Sequence, residues 1–418
     1  MRLAALLVLV AGTAAADPLD EVGLGAASAG MAESRAALAT GAEATHVDPA
    51  GVARADHPEV LVGWQDTIAN LELDGHDAHV VDAHGTSIAL AVPFDLGGLR
   101  LGAGVALYLP DQYLARIELT PVSEPRFIRF ETAAQRIVVE PVVAIAFGDF
   151  AIGAGASLLA DAKSRDLTFD VGVIGGQKQG NASLDVALPL RAAPLVGIWY
   201  RPHRKLELAA TFRGELSLDL ALDIRANVTV PGVVTGDATI SLRSTSYFTP
   251  MRAGFAVAFR PTDDLDLTAE LAWERWSALG SGVPDLRVLI ALDLAPPLVG
   301  TQPPPALFHD IVTPRLGAEW RTGRLRFRAG AAYLPSPVPA QTGLTSFADG
   351  ARFLATAGFG IRVGPGGVFT RPIDLDLGVG WQHIEHALVV KDPALSPGGA
   401  FSSGGDLLQA STSATVRF

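Results

Sequence analysis

The sequence predicts an all-β protein, a transmembrane antiparallel β-barrel of about 14 strands. Three observations predict this fold: apolar and polar side chains alternate along strand-length segments, the chain is apolar without a long apolar run, and its two ends carry export and assembly features. Hydrophobic residues make up 49% of the 418 residues, and the mean hydropathy is +0.30. No window after the N-terminus approaches about 18 uninterrupted apolar residues. A closed barrel can hide this surface because it pairs every backbone group between strands.

The alternation is clearest in residues 205–224, 265–274 and 324–333, where apolar residues take every second position for most of each segment. This period of two is expected where alternate side chains face lipid and lumen. A soluble antiparallel sandwich with one wet face would give the same period. The two ends of the chain therefore decide between these folds.

Residues 1–16 have the layout of a secretory signal peptide: Arg2, an apolar run at 3–10, and small residues before a cleavage site after Ala16. Residues 408–418 alternate and finish on Phe418. This end is similar to the terminal strand by which the barrel assembly machinery recognises its clients. Together the two ends favour the barrel and predict export to the outer membrane of a Gram-negative bacterium.

Connections of alternating length also favour a barrel, since bacterial barrels alternate short periplasmic turns with long extracellular loops. The short connections lie near 94–99, 147–150, 201–205, 260–265, 321–324 and 364–372. The long ones lie near 70–83, 111–133, 163–183, 226–237, 279–305, 336–349 and 391–406. We expect strands to start near 59, 84, 98, 135, 150, 184, 204, 238, 264, 306, 324, 350, 372 and 407. An apolar stretch at 285–295 would make the count odd, so parity favours loop structure there.

Residues 17–56 are rich in Ala and Gly and show no sustained alternation; helical fragments are expected near 31–38. A barrel of this size has a lumen wider than its own side chains can fill. We therefore expect three parts: a signal peptide at 1–16, an N-terminal plug with short helices, called a hatch, at 17–56, and the barrel at 57–418. The alternative for 17–56 is a flexible periplasmic tail.

Three groups of motifs occur in order along the mature chain. They are Gly-Leu-Gly-Ala-Ala-Ser-Ala-Gly-Met-Ala at 23–32 with Asp-Pro-Ala-Gly-Val-Ala at 48–53, Thr-Pro-Met-Arg-Ala-Gly-Phe at 249–255 before a Trp-Ser strand at 271–277, and residues 314–320 before 328–339. In order and spacing they resemble the FadL/TodX family of outer-membrane long-chain fatty acid and hydrocarbon transporters. Asp48, Pro49, Ala50 and Gly51 resemble the family's hatch motif, which usually has Asn in place of Asp48.

This resemblance implies a 14-stranded barrel plugged by its own N-terminus, and passive uptake of hydrophobic small molecules. The ligand would land in a groove of extracellular loops, move to a pocket beside the hatch, and leave after the hatch rearranges. In characterised members the exit is a lateral gap at a kinked third strand. The sequence leaves open the cargo, a lateral or a periplasmic exit, and the role of Asp48.

Candidate ligand-binding residues in the lumen are arginines that point inward by strand parity: Arg213, Arg315, Arg326 and Arg328. They could bind a carboxylate. The alternative is a polar lumen lattice, which is normal inside barrels, formed with the acids Glu207, Glu215, Asp266, Glu270 and Glu319.

Candidates for the outer groove are the apolar side chains Tyr113, Leu114, Phe127, Ile128 and Phe130, with an aromatic interface belt as the alternative. In the third strand, Gly102, Gly104 and Pro110 could permit a kink, since glycine tolerates strained backbone. Barrel strands often contain glycine without such a role.

Other function classes find little support. There is no cysteine, and the formal charge of −12 argues against nucleic acid. We expect no cofactor, no metal and no enzyme activity. The segment 74–84, with its His and Asp residues, is the only cluster resembling metal ligands, and His383 and His386 have no assignable nucleophile. A porin for polar solutes is the second hypothesis, and an outer-membrane enzyme or adhesion barrel is the third. The expected partners are the hydrophobic ligand, outer-membrane lipid, lipopolysaccharide and the barrel assembly machinery, with the chain as a monomer.

Overall fold

The computed structural model describes residues 10–11, 23–111, 120–121, 123–130, 137–159, 162–174, 177–188, 190–230, 234–279, 285–292, 295–299, 307–343, 345–364, 371–396 and 399–418. A closed antiparallel wall of 14 strands confirms the predicted fold class. The wall strands are β1 Glu59–Leu73, β2 Ala83–Leu96, β3 Leu99–Pro110, β4 Val138–Phe147, β5 Phe150–Leu159, β6 Arg191–His203, β7 Leu206–Arg213, β8 Arg252–Thr262, β9 Leu265–Glu274, β10 Ile311–Thr322, β11 Leu325–Leu334, β12 Arg352–Val363, β13 Ile373–Val389 and β14 Phe401–Arg417.

The wall closes because β14 pairs with β1 along its length, from Glu59 opposite Arg417 to Leu73 opposite Ser403. Every other wall strand pairs with its neighbours in sequence. This closure leaves no strand edge unpaired, which is the condition for a sheet in lipid. None of the helices in the described ranges is long and apolar enough to span a membrane.

The period of two predicted from sequence is realised in the wall. In β9, Asp266, Thr268 and Glu270 are buried, while Leu267 and Leu271 are exposed on the outside. The outer surface is therefore an apolar belt, as lipid-facing strands require.

Aromatic side chains mark both ends of this belt. Near the short turns, the ring of Phe327 lies 5.7 Å from Trp320 and 5.6 Å from Phe359. Near the long loops, Tyr333 and Phe353 lie 5.0 Å apart. Two aromatic bands at the edges of an apolar belt are typical of membrane barrels.

The short turns lie at one end of the barrel, called here the short-turn end. Gly97 and Gly98 join β2 to β3 with φ of 59° and 88°, and Gly148 and Gly323 take φ of 55° and 60° in two other turns. Two-residue hairpins favour positive φ, so glycine fits these positions. The long connections lie at the opposite, long-loop end.

Part of the long-loop end is a second, six-stranded antiparallel sheet outside the wall. Its strands are Ala162–Ile174, Gln177–Leu188, Leu216–Val230, Val234–Thr249, Asp285–Leu292 and Ala295–Val299. The stretch at 285–295 is thus loop structure, as parity predicts. The described residues also contain three short strand pairs: Val10–Ala11 with Thr120–Pro121, Arg126–Phe127 with Phe347–Ala348, and His76–Asp77 with the end of β1.

This sheet corrects two predicted strand starts. The segments at 184 and 238 belong to it, and the wall strands β6 and β8 begin later, at Arg191 and Arg252. Likewise the alternation of 205–224 runs past the end of β7 at Arg213 into the outer sheet. The strands of the wall and those of the second sheet have the same period in sequence, so periodicity alone could not locate the boundaries between them.

Residues 23–56, called here the N-terminal segment, contain short helices: α1 Ala26–Ala29, α2 Ala44–Val47 and a 3-10 helix Pro49–Arg54. The helical fragment expected near 31–38 is wrong. Ala32 and Glu33 have φ of 50° and 60°, a left-handed backbone that no right-handed helix accepts. A further 3-10 helix, Trp276–Leu279, lies at the long-loop end.

Candidate functional site between the N-terminal segment and the wall

The N-terminal segment lies so close to the wall that several wall positions have room only for glycine. A Cβ added at Gly330 would lie 2.4 Å from the carbonyl carbon of Met31, and one at Gly153 would lie 2.3 Å from that of Pro49. Real Cβ atoms do not approach so closely. Small residues therefore position the segment against inward-facing surface.

The glycines of β3 make the same kind of close contact with the N-terminal segment. A Cβ at Gly102 would lie 2.7 Å from Ala53 N, and one at Gly104 would lie 2.7 Å from Thr45 Cγ2. β3 pairs with β2 and β4 without a register shift, and Pro110 is its last residue, opposite Gly85. The glycines of β3 thus accommodate the segment, and β3 pairs regularly with both neighbours.

The strongest polar contact of the segment joins α2 to two wall strands. His46 Nδ1 lies 2.7 Å from Glu140 Oε2, and Arg213 Nη1 donates to Glu140 Oε1 at 3.0 Å. Arg213 also donates to the carbonyl oxygen of His46 at 3.1 Å. Glu140 is fully buried, so its charge depends on these two partners.

Two further arginines of the segment are held by wall acids. Arg54 donates to Glu207 at 2.9 Å, and its guanidinium lies 3.6 Å from the ring centre of Trp199. Arg35 bonds to Glu319 at 3.2 Å. These contacts make the second half of the segment a charged interface.

The four predicted lumen arginines are all buried or half-buried, and three of them form close ion pairs with protein acids. Arg326 lies 3.2 Å from Asp374, Arg328 lies 2.6 Å from both Glu319 and Asp376, and Arg213 pairs with Glu140. Arg315 is buried 4.0 Å from Glu270. These ion pairs favour the polar lumen lattice as the role of Arg213, Arg326 and Arg328.

Of the acids expected in the lattice, Glu207, Asp266, Glu270 and Glu319 are buried, but Glu215 is exposed. Glu215 follows Gly214, beyond the end of β7. The prediction that its side chain points into the lumen is therefore wrong. Three further acids pair with the lumen arginines and were not predicted from the sequence: Glu140, Asp374 and Asp376. The signal for Glu140 was present, because one acid within the apolar run 138–147 has to face inward.

The hatch motif forms a tight turn against β6. Asp48 is fully buried, and its Oδ1 accepts a hydrogen bond from Ala50 N at 3.1 Å, which caps the 3-10 helix. Pro49, Ala50 and Gly51 are buried with it. The second oxygen, Oδ2, has no hydrogen-bond partner among the described residues. Burial raises the pKa of the Asp48 carboxyl to about 7.

A small cavity of about 40 Å³ lies between the segment and β6 to β9. Its polar lining includes Glu33 and His46 from the segment and Arg213, Arg252 and Glu270 from the wall. Burial raises the pKa of the Glu33 carboxyl to about 7. The volume suits about one or two water molecules, so the site as it stands cannot hold a whole hydrocarbon.

The predicted groove residues pack into an apolar roof at the long-loop end. Phe127 and Ile128 are each 1% exposed, and Phe130 is partly buried. Ile128 packs in one cluster with Phe248 and Trp276, among others. Phe127 and Ile128 therefore do not line an open groove in this conformation, because the roof is closed over them. Tyr113 and Leu114 lie outside the described residues.

Two buried arginines pack against the aromatic rings of this roof. Arg129 lies 5.0 Å from the ring centre of Trp276 and 3.6 Å from Asp349, and Arg352 lies 5.0 Å from the ring centre of Phe130. Guanidinium groups over aromatic rings keep their charge inside an otherwise apolar layer. In the described part of the chain, no three His, Asp or Glu side chains are placed to hold a metal ion.

Several solved structures have a similar fold. A FadL homologue of Pseudomonas aeruginosa has a TM-score of 0.60 and 16% identity, over 98% of this chain and 99% of that one. The CymD monoaromatic hydrocarbon channel has a TM-score of 0.58 and 14% identity, over 96% and 98%. The P. putida toluene transporter TodX has a TM-score of 0.53 and 16% identity, over 96% and 99%. No family model matches the sequence, and no curated protein matches it significantly.

Fold and site together define the class: a closed transmembrane barrel whose N-terminal segment packs against its inward-facing side chains. More particularly, the chain has the FadL/TodX fold, as the sequence resemblance predicts.

Proposed function

We propose that this chain is a channel of the Gram-negative outer membrane for passive uptake of hydrophobic small molecules, either long-chain fatty acids or hydrocarbons. Residues 1–16 serve as its signal peptide, 17–56 as a hatch and 57–418 as the barrel. The observation that carries the proposal is the packing of the N-terminal segment against inward-facing residues such as Glu140, Glu207 and Thr268. A porin for polar solutes needs an open aqueous lumen, which this packing opposes.

The fold neighbours support the same class of cargo, since they include a toluene transporter and a monoaromatic hydrocarbon channel. The physics agrees. An apolar chain loses roughly 0.8 kcal/mol for each CH₂ exposed to water, so a route lined by apolar surface avoids this cost. In this proposal the apolar roof at the long-loop end, taken as extracellular, has to open to admit the ligand.

We place hatch rearrangement in the second half of the N-terminal segment, and the lateral exit between β4 and β5. The ladder between these strands has pairs at Val139–Leu158 and Val142–Gly155, and none at Glu140 and Pro141. Proline cannot donate to a ladder, so this seam is the weak point of the wall beside α2. Movement of α2 would release Glu140 from His46 at the same place.

Uptake into proteoliposomes tests the function. Radiolabelled oleate and toluene should enter vesicles containing the barrel faster than protein-free vesicles, while osmotic swelling in arabinose should stay at the protein-free rate. A swelling rate like that of an open porin, with no gain in oleate or toluene uptake, would overturn the proposal in favour of a polar-solute channel.

A further inference from the structure

The cavity beside α2 has an imbalance between hydrogen-bond donors and acceptors. Glu270 is buried, and its Oε1 accepts from Arg252 at 2.9 Å, while its Oε2 has no hydrogen-bond partner among the described residues. Glu33 Oε1 is likewise buried and lacks a partner there. Glu33 and Glu270 both line the cavity, and each has one buried carboxylate oxygen without a donor among the described residues.

The two arginines of the cavity, in contrast, already donate hydrogen bonds to acceptors of the protein. Arg213 donates to Glu140 and to the carbonyl oxygen of His46, and Arg252 donates to Glu270. A ligand carboxylate would therefore compete with acids already in place and would lie beside Glu33 and Glu270, which repel it. An ammonium group would lie beside Arg213 and Arg252, which repel it in turn.

The geometry of the segment keeps Glu33 in this position. Ala32 and Glu33 both adopt left-handed backbone, and a Cβ at Gly23 would lie 2.1 Å from Glu33 Oε1. The cavity lining also includes the apolar residues Ala36, Val47 and Leu195. The free volume of about 40 Å³ admits a group the size of a hydroxyl with a neighbouring carbon.

We infer that this cavity binds the polar end of the cargo, and that Glu33 and Glu270 select an apolar molecule carrying a neutral hydrogen-bond donor, a hydroxyl group, over a plain hydrocarbon or an ionised acid. This inference rests on the proposed function and names its preferred substrate class. A hydroxyl can donate a hydrogen bond to a carboxylate oxygen as water does, whereas an alkane cannot.

Three probes of equal chain length test this selectivity: 1-decanol, decane and decanoate. Equilibrium dialysis of the full-length mature protein in detergent at pH 8, above the pKa of Glu33, measures binding after subtraction of protein-free micelles. We expect decanol to bind roughly tenfold tighter than either other probe, the scale of a hydrogen bond to a charged group. Glu33→Leu should bring decanol close to decane, and Glu33→Gln should give an intermediate preference and improve decanoate binding.

Glu215→Gln is the matched control, since Glu215 is an exposed acid beyond β7, and it should keep the wild-type preference. Circular dichroism confirms that each variant is folded; if Glu33→Leu does not fold, Glu33→Gln carries the test. Equal binding of decanol and decane by the wild type would overturn this inference and leave hydrophobic uptake intact. Binding of none of the three probes above background would overturn the proposed function and this inference with it.

Discussion

The two halves of the N-terminal segment contact the wall by different means. Residues 23–34 use neutral contacts: Ala26 N donates to Ser413 Oγ at 3.2 Å, Ser87 Oγ donates to Leu24 O at 2.7 Å, and Gly30 lies against Gly358. Residues 35–56 also pack closely against wall glycines, and they add buried charge through Arg35, His46 and Arg54 with their wall acids.

We propose that this difference separates an anchor from the part that moves when the segment rearranges. Neutral close packing has no discrete alternative arrangement and resists displacement. Buried ion pairs are costly to desolvate and add little net stability, but removing one partner is strongly destabilising. The first half is therefore suited to hold the segment in place, and the second half to switch between two arrangements.

The largest expected effect comes from breaking the anchor. Gly330→Val puts a side chain where even a Cβ would lie 2.4 Å from the Met31 backbone, so residues 26–34 should lose their place on the wall almost completely. Hydrogen exchange of these residues should rise towards that of an unprotected chain. The matched control is Gly343→Val, since nothing lies within 4 Å of a Cβ at Gly343. Unchanged protection in Gly330→Val would contradict the anchor.

A smaller effect is expected in the second half from Glu140→Gln. It removes the charge that holds His46 and Arg213 together, and breaking such a buried pair costs about 3–5 kcal/mol. Exchange of residues 44–47 should accelerate accordingly, while residues 26–34 keep their protection. Equal acceleration in both halves would show that the segment moves as one unit. Glu215→Gln again serves as the exposed control.

The smallest effect concerns pH. The docked Asp48 has a pKa of about 7, above its ordinary value of 3.8, so docking takes up a proton between these values. The penalty of the buried charge is fully present above pH 7, declines as the pH falls through this window, and is absent below it. Glu33 shifts in the same direction, from 4.5 to about 7.

Docking of the segment should therefore strengthen from pH 8 to pH 5, by up to about 1.4 kcal/mol per pH unit for each group. Asp48→Asn should remove this dependence from the hydrogen exchange of residues 44–54 and leave the dependence that Glu33 gives to residues 26–34. A pH profile identical to the wild type would show that Asp48 does not set it.

Much of this fold could be predicted from the sequence. The 14 strands and the lumen-facing acids of β9 followed from a period of two, because the two faces of a wall strand differ in polarity at alternate positions. The even strand count placed the stretch at 285–295 outside the wall. The starts of β6 and β8 could not be located, because the outer sheet has the same period.

The site was less accessible to sequence analysis. Strand parity placed Arg326 and Arg328 correctly but could not identify Asp374 and Asp376 as their partners, since partners depend on register. The close approach of the N-terminal segment to Gly102 in β3 could not be predicted, because the sequence does not reveal where that segment lies against the wall.

Two disulfide locks test the central claim that the second half of the segment moves while the first half stays in place. The chain has no cysteine, so introduced pairs form the only disulfides. Ser34→Cys with Thr268→Cys joins the first half to β9, where the two hydroxyls now lie 2.7 Å apart. Ala50→Cys with Ala151→Cys joins the second half to β5, where both residues pack in one buried cluster.

The measurement is uptake of radiolabelled oleate and toluene by proteoliposomes before and after reduction, with each single cysteine variant as control. We predict that the first lock leaves uptake intact, and that the second abolishes it until the disulfide is reduced. Undiminished uptake with the Ala50–Ala151 lock closed would contradict the account.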